Sequence, residues 1–438
     1  MKRIISVLLC LVIVVMCMSF LSGCGTKKSF QVGFGKVDIS PGEGVELGGY
    51  GNSAVRQSRG VWTPLEALAL VLTDTEDNTL VLVVTDLSFG DVTRTAQIRT
   101  EVNKKYSIPK ENVMVGGTHN HNAPDYSSSN AKNVEYMEQW KQNVMKAIDQ
   151  AMEDRKPATM EIGRTETENL VFSRRYVRED GNYIGGGPDS YNVPSTAPIA
   201  GHETEGDEEI QMVRFVREEG KDILLTQWQS HACNIDSNRD KDQHYMASGE
   251  WPQVMRSEVE AELGVHCMYI QGAAGNMGCA SRIEGEFALE DSTDFQAIGR
   301  TLAEYITEAC NKDGVFQSIE TGIIRTDQNK MEVTRQDGTV VKADEKKPEL
   351  NTIAIGDLSL ITSPMELFDT SAKWLKDETP YDMTLIMGYT CGHGGYQAPE
   401  WAFDHLAYEV LESTYEKGTA EKMMNYYLDT LNEFYNAK

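Results

Sequence analysis

The chain has 438 residues, 40% of them apolar and 25% charged, a balance that suits a packed globular fold and excludes disorder as its main state. Its formal net charge is −26, and no run of Lys or Arg offers a local exception. Such a surplus of acid repels nucleic-acid phosphates and anionic lipid headgroups, so no nucleic-acid partner is expected.

Lys2 and Arg3 precede an acid-free apolar run from Ile4 to about Phe20, the charged-then-apolar pattern of a secretory signal peptide and too short for a good membrane span. The run meets Leu21-Ser22-Gly23-Cys24, which resembles the lipobox of bacterial lipoproteins, where the Cys thiol carries diacylglycerol and becomes the new first residue. Residues 1–23 are therefore expected to be a signal peptide, Cys24 the lipidation site and residues 24–30 a short tether. Two or more acyl chains, at ~0.8 kcal/mol per buried methylene, anchor a protein stably where a single chain does not. The expected location is the extracytoplasmic face of the cell membrane. The cysteines beyond this leader, Cys233, Cys267, Cys279, Cys310 and Cys391, are odd in number and lack CxxC spacing. Neither a disulfide framework nor a thiolate zinc site is read from them.

From Gln31 onward strands and helices alternate. Ala67 to Leu72 and Leu80 to Val84 are β-rich runs separated by a turn over Asp74 to Asn78, and a helix is expected near Thr93 to Lys105. Val113-Met114-Val115 makes a third strand. A helix from about Val134 to Met152 follows, with Met137, Trp140, Val144, Ile148 and Met152 on one face. Glu179-Asp180-Gly181 and Gln336-Asp337-Gly338 look like hairpin tips, and Gly185 to Gly201 like a long functional surface loop. Strands are expected at Ile223 to Trp228 and Cys267 to Gln271, and helices near Asp294 to Asn311 and Ala420 to Asn436. With no repeat and no linker-like break, residues 31–438 read as one α/β domain of mixed sheets flanked by helices.

Thr118-His119-Asn120-His121 follows a strand and a double Gly. In an extended segment His-X-His puts two imidazoles on one side, a common start for a metal site. His231 ends the 223–228 strand, where α/β sites are usually built. Three strand-end histidines in a secreted α/β protein point to a zinc hydrolase, since zinc makes water nucleophilic near neutral pH. The competing readings are a loop-capping His, a solvent-facing His and a satisfied buried His.

Gly116-Gly117-Thr118-His119-Asn120-His121-Asn122-Ala123-Pro124 resembles the Gly-Thr-His-Thr-His-Ser-Gly-Pro motif of the neutral/alkaline ceramidases, zinc amidases that hydrolyse N-acylsphingosine. Further segments match in the same order: Gly33 to Pro41, Gly48-Gly49-Tyr50, Thr85-Asp86-Leu87, Gln271 to Asn276, Pro364 to Leu367 and Gly395 to Glu400. The likeness spans roughly residues 31–425, the catalytic domain of that family. It implies a fold like the ceramidase N-terminal domain, and zinc held by His119, His231, Glu366 and Tyr396. It also implies that His121 moves a proton or bonds substrate, while Arg174 and Tyr408 face the developing oxyanion. Arg174 and Arg175 could instead be strand-surface charges, and Tyr408 a helix-packing residue.

Two departures bear on activity. Gly278 stands where the family has a Ser implicated in catalysis, which excludes a serine nucleophile there and leaves attack by zinc-activated water. Cys279, one place later, is expected to be a buried structural Cys. The chain also ends at Lys438, so the immunoglobulin-like C-terminal domain of full ceramidases is not expected, which weakens the case for ceramide itself. The expected function is a lipid-anchored zinc hydrolase of an amide, with a lipid or small-molecule substrate. The alternatives are hydrolysis of a different small amide or ester, with the 185–201 loop reshaping the pocket, and a non-catalytic binding lipoprotein.

Overall fold

Residues 66–73 and 79–85 are apolar at nearly every position rather than at alternate ones, the pattern of strands covered on both faces. The computed structural model, which describes residues 28–51, 53–187, 192–235 and 243–438, buries them in that way. Strands β1 (Gln31–Asp38), β2 (Glu66–Thr73), β3 (Thr79–Thr85), β4 (Val113–Gly117), β5 (Lys156–Glu166), β6 (Glu209–Arg217), β7 (Ile223–Trp228), β8 (His266–Gln271) and β9 (Phe316–Ile319) form a large sheet. Its order is β8-β7-β6-β5-β1-β2-β3-β4, with β9 added to β5. The β3–β4 and β7–β8 pairs are parallel and the rest antiparallel. A second sheet runs β10 (Ile324–Lys330), β11 (Glu349–Ile355), β12 (Leu358–Thr362), β13 (Met383–Met387), its last pair parallel.

The two-residue period of a strand sorts the side chains into layers. Leu68, Leu70, Leu82 and Val84 meet Ile353, Leu360 and Leu385 in a core between the two sheets. Ala67, Ala69, Val81 and Val83 point the other way, onto helices α1 (Val92–Tyr106) and α2 (Ala131–Glu153). Helices α3 (Glu250–Leu263) and α4 (Phe295–Asn311) cover the same face over β6, β7 and β8 through Trp251, Met255, Ile298 and Leu302. Helix α5 (Asp369–Glu378), the short α6 (Tyr408–Leu411) and α7 (Thr419–Asn436) follow. Leu375 of α5 and Met423, Tyr427 and Leu431 of α7 close the outer face of the second sheet. The layers therefore run helix, sheet, sheet, helix, the mixed α/β arrangement expected from the sequence.

Close packing explains the Gly33-Phe34-Gly35 segment. A Cβ at Gly33 or Gly35 would lie 2.0 Å from the carbonyl oxygen of Ala151 or Ala147, so α2 can rest on β1 only where those side chains are absent. Phe34, between them, points into the inter-sheet core.

The expected strands and helices near 67–72, 80–84, 93–105, 113–115, 134–152, 223–228, 267–271, 294–311 and 420–436 all form, with ends moved by up to three residues. Met137, Trp140, Val144 and Ile148 are buried on α2, and Met152 is partly so. Both hairpin tips form, with Gly181 and Gly338 at positive φ. The 185–201 segment is only partly a loop: Ile199–His202 is a strand paired with Tyr176–Arg178, and residues 188–191 lie outside the described residues. The leader and Cys24 also lie outside them. Among the described residues, no helix is long and apolar enough to cross a membrane.

β4 and β8 stand at opposite ends of the strand order, yet the segment after β4 meets both the end of β8 and the segment after β7. His121 N–H donates to the Ala232 carbonyl at 3.0 Å, and Gln271 Nε2 reaches the Thr118 carbonyl at 3.0 Å. The far edge of β4 is covered by residues 389–391, where Gly117 N–H donates to Tyr389 O and Cys391 N–H to Val115 O. This convergence positions the site.

Candidate metal centre

His119 and His121 leave β4 in a loop that polar side chains hold in place. Asn122 accepts from Arg56 Nη2 at 2.7 Å and donates to Glu250 Oε1 at 2.9 Å, and Asn120 Oδ1 accepts the Asn122 N–H at 2.7 Å. The segment is not extended, as the sequence reading supposed: His119 has φ +59°, in the left-handed region. The turn brings the two imidazoles edge to face with centroids 4.8 Å apart, and their Nε2 atoms 3.2 Å apart. Gly49, at φ +99°, sits so close to His121 that a Cβ there would fall 2.5 Å from the His121 Cβ, while Tyr50 meets the His121 ring edge-on at 5.3 Å.

The other residues arrive from three directions. His231 follows β7 and is oriented by its Nδ1, 2.6 Å from the Ala274 carbonyl. Gln271, at the end of β8, donates to both Thr118 O and Ser230 O and so ties the two histidine loops together. Asn276 exchanges hydrogen bonds with Asp369 at the start of α5. Glu366 and Tyr396 are neighbours in a two-strand parallel pair, and the backbone N–H of Glu366 donates to Gly395 O at 2.9 Å.

Glu366 Oε2 lies 3.3 Å from His119 Nε2 and 3.3 Å from His231 Nε2, and the Tyr396 hydroxyl lies 3.4 Å from His231 Nε2. Despite these distances Glu366 Oε2 makes no well-formed hydrogen bond, and it is buried. Buried acceptors without donors are costly. Donor atoms held about 2.0–2.1 Å from one ion at tetrahedral angles lie about 3.3–3.4 Å apart, as these three pairs do, and an ion that expands to five-coordinate keeps a position for water. His119, His231, Glu366 and Tyr396 thus fit a divalent ion such as zinc. His119, His121 and His231 also form a group of three imidazoles whose nitrogens lie within 4.8 Å of one another, so the set offers one donor more than a four-coordinate ion needs.

Electrostatics favour ligand-ready protonation states at His231, His121 and Glu366 and oppose one at Tyr396. Burial, then Arg174 and His119, hold His231 down at about 3, and burial with His119 and His231 pushes His121 well below its usual value. Burial alone would raise the Glu366 carboxyl, but His119 and His231 hold it well below the carboxylate range. The Tyr396 phenol is driven up by burial, against the pull of Arg174, whose Nη2 donates to its hydroxyl at 2.7 Å.

The two adjacent arginines separate cleanly. Arg174 reaches Tyr396 of the candidate site and is braced by Glu409 Oε1 at 3.1 Å and the Gly275 carbonyl at 2.9 Å. Arg175 is wholly buried between Glu203 and Glu409 and is structural. Tyr408 opens α6 with its ring 5.6 Å from that of Tyr396, so it borders the same site. Cys279 is buried 2.9 Å from the Ser230 hydroxyl, and burial pushes its thiol up. All five cysteines among the described residues are free thiols.

Sequence reasoning missed three neighbours. Tyr389 stacks on His119 at 4.0 Å, Phe89 meets His119 edge-on, and His393 packs on Phe89 and contacts the Tyr126 hydroxyl at 2.7 Å. His393 lies three residues before Tyr396, which was the one available signal for it.

A family model described as neutral/alkaline non-lysosomal ceramidase, N-terminal, matches residues 30–287. Among solved structures, the neutral ceramidase from Pseudomonas aeruginosa shares 17% identity at a TM-score of 0.71, covering 92% of this chain and 74% of its own. A structure of a ceramidase complexed with C2 shares 16% identity at a TM-score of 0.68, with coverage of 92% and 74%. At these identities the likeness establishes the fold. No curated protein matches. With more than half of its length under that model and the same fold, the chain belongs to the neutral/alkaline non-lysosomal ceramidase family of amide hydrolases.

Proposed function

We propose that the protein is a zinc-dependent amidohydrolase that cleaves an N-acyl lipid, ceramide or a relative of it, with His119, His231, Glu366 and Tyr396 as the metal ligands. The observation that carries this reading is the buried Glu366 oxygen, 3.3 Å from two imidazole nitrogens and bonded to none of them. When bound, the ion supplies Lewis acidity and makes water nucleophilic at neutral pH.

The remaining work falls to side chains. Arg174, fixed by Glu409, and Tyr408 present donors beside Tyr396, where the carbonyl oxygen of an amide gains negative charge. His121, at the margin of the ligand set, takes a proton from the attacking water and returns it to the departing amine. Gly278 supplies no nucleophile, so the reaction needs no covalent serine step. Residues 31–438 form the catalytic domain in this reading. Residues 1–23 are the signal peptide, and lipidated Cys24 with the 24–30 tether holds the domain at the extracytoplasmic membrane face.

A second reading, hydrolysis of a smaller amide or ester, is favoured by the approach to the site, a cavity of about 590 Å³ with the charged Lys330, Arg335 and Lys346 in its wall. One experiment separates them: metal content of the purified protein, read with hydrolysis of a fluorescent long-chain N-acylsphingosine before and after chelation. Zinc near one per chain with chelator-sensitive cleavage supports the lipid amidase. Zinc without cleavage, together with turnover of short polar substrates, moves the assignment to the second reading. A zinc-bearing protein that leaves amides and esters untouched sinks both.

A further inference from the structure

The cavity that reaches Glu366, Tyr396 and Tyr408 is also lined by Lys330, Arg335, Lys346 and Lys347. These come from one stretch of chain that no Lys- or Arg-rich run betrays, gathered by the 330–348 excursion between β10 and β11. Met331 N–H closes its base on Pro348 O at 3.1 Å, and Arg335 bridges to Tyr415. The adjoining Thr414 N–H donates to Tyr396 O at 2.9 Å, so the basic wall is joined by backbone to the metal-site tyrosine.

The acids of the lining do not cancel these charges. Glu349 is taken by Arg99 through two bonds of 3.0 and 2.8 Å, and Glu366 belongs to the metal centre. Glu412 remains on the wall, and Asp344, outside the lining, holds Lys347 at 2.9 Å and also feels Lys330, while Glu332 acts on Lys347 as well. In a chain of net charge −26, a lining with four basic side chains against three acidic ones is a local excess of positive charge.

We propose that the substrate of this enzyme carries an anionic group, a sulfonate, phosphate or carboxylate, away from the scissile amide, and that Lys330, Arg335 and Lys346 receive it. The inference rests on the catalytic reading only for where the amide lies. It makes these residues determinants of specificity rather than of chemistry, because charge-assisted hydrogen bonds to an anion distinguish it from a neutral alcohol of the same length.

The test uses the zinc-loaded protein and two fluorescent ketone isosteres of one long-chain amide, which cannot be hydrolysed, one ending in a sulfonate and the other in a primary alcohol. Fluorescence anisotropy should show the sulfonate bound about tenfold more tightly. That preference should shrink as NaCl rises from about 50 to about 500 mM. It should also fall toward unity in Arg335→Glu/Lys346→Glu, with zinc content reporting that the fold survives, and partly in the milder Lys346→Gln. Equal affinities in the wild type, or a preference that survives both variants, would overturn the inference. So would variants that lose binding to phosphatidylglycerol vesicles while keeping the sulfonate preference, since the wall would then serve the membrane surface. If the preference holds but neither corresponding amide is cleaved, the anion site stands and the hydrolase reading falls.

Discussion

At the scale of single residues, the left-handed backbone of His119 is the telling detail. A side chain other than Gly at φ +59° is uncommon, and such strain gathers at functional sites where surrounding contacts impose it. Here the contacts are visible: Tyr389 stacked on the ring, Asn120 and Asn122 locking the loop, and Gln271 on the Thr118 carbonyl. His119→Ala or His231→Ala should therefore lose zinc and all activity. His121→Ala should keep zinc by metal analysis and lose roughly 10²- to 10⁴-fold in turnover, the usual worth of a general acid–base. Loss of the metal from His121→Ala would exchange the roles within the pair, which the 3.2 Å separation of their Nε2 atoms makes a real contest. Gly278 offers a complementary test. A Cβ there meets nothing nearer than Arg174 Cδ at 3.8 Å, so Gly278→Ser should fold with a stability change below about 0.5 kcal/mol. Its hydroxyl would sit beside Arg174, and turnover should stay within a few-fold of wild type. A hundredfold gain would mean that a serine at this position is needed for full catalysis and that zinc-activated water alone is a poor substitute.

At the scale of elements, a buried ion pair fastens α3 to the sheet that carries the histidines. Arg256 on α3 grips Asp86 just past β3 with bonds of 3.1 and 2.7 Å and reaches Glu66 at 3.0 Å; Arg256 and Asp86 are buried and Glu66 is partly so. Asp86→Ala would strand a buried guanidinium, and removal of one partner from such a pair costs about 3–5 kcal/mol. Urea unfolding should show the midpoint fall by that equivalent with an unchanged slope, and a loss under about 1 kcal/mol would mean that Glu66 alone satisfies Arg256. The same helix shows why sequence reading was partial. β2 and β3 announce themselves through continuous apolar runs, and α2 through a spaced apolar face. Glu250–Leu263 opens with Trp251-Pro252 and goes unread, although Pro is tolerated in the first turn, where the N–H has no intrahelical partner. Much of the second sheet goes unread as well, since Ile324–Lys330 is polar and half exposed and Glu349–Ile355 mixes Asn and Thr into a buried face. At the site, His119, His121 and His231 are legible as strand-end residues. Glu366 and Tyr396 are not, because their place depends on a pairing between two short strands far along the chain, and family likeness rather than periodicity pointed to them.

At the scale of the whole molecule, charge and attachment have to be reconciled. A protein carrying −26 is repelled by anionic lipid, so any stable hold on a membrane must come from hydrocarbon rather than from basic residues. The described chain begins where such a hold would reach the domain: Lys28 pairs with Asp77 at the β2–β3 turn, and Phe30 is already buried in the inter-sheet core. A tether ending at residue 30 therefore leaves little slack, and acyl chains on Cys24 would keep the domain within a few residues' reach of the lipid. Cys24→Ser should move the protein from the membrane to the soluble extracytoplasmic fraction on fractionation of intact cells. Zinc content and cleavage of detergent-dispersed substrate should match wild type, because the proposed ligands, from His119 to Tyr396, lie far along the chain from residue 24. Cleavage of substrate embedded in vesicles should drop, since encounter is then three-dimensional. A Cys24→Ser protein that stays with membranes through a high-salt wash would overturn the lipid anchor. It would shift attention to the exposed Trp374, Trp401, Leu406 and Leu411 as the surface that meets lipid, a role that apolar contact, unlike charge pairing, would sustain in salt.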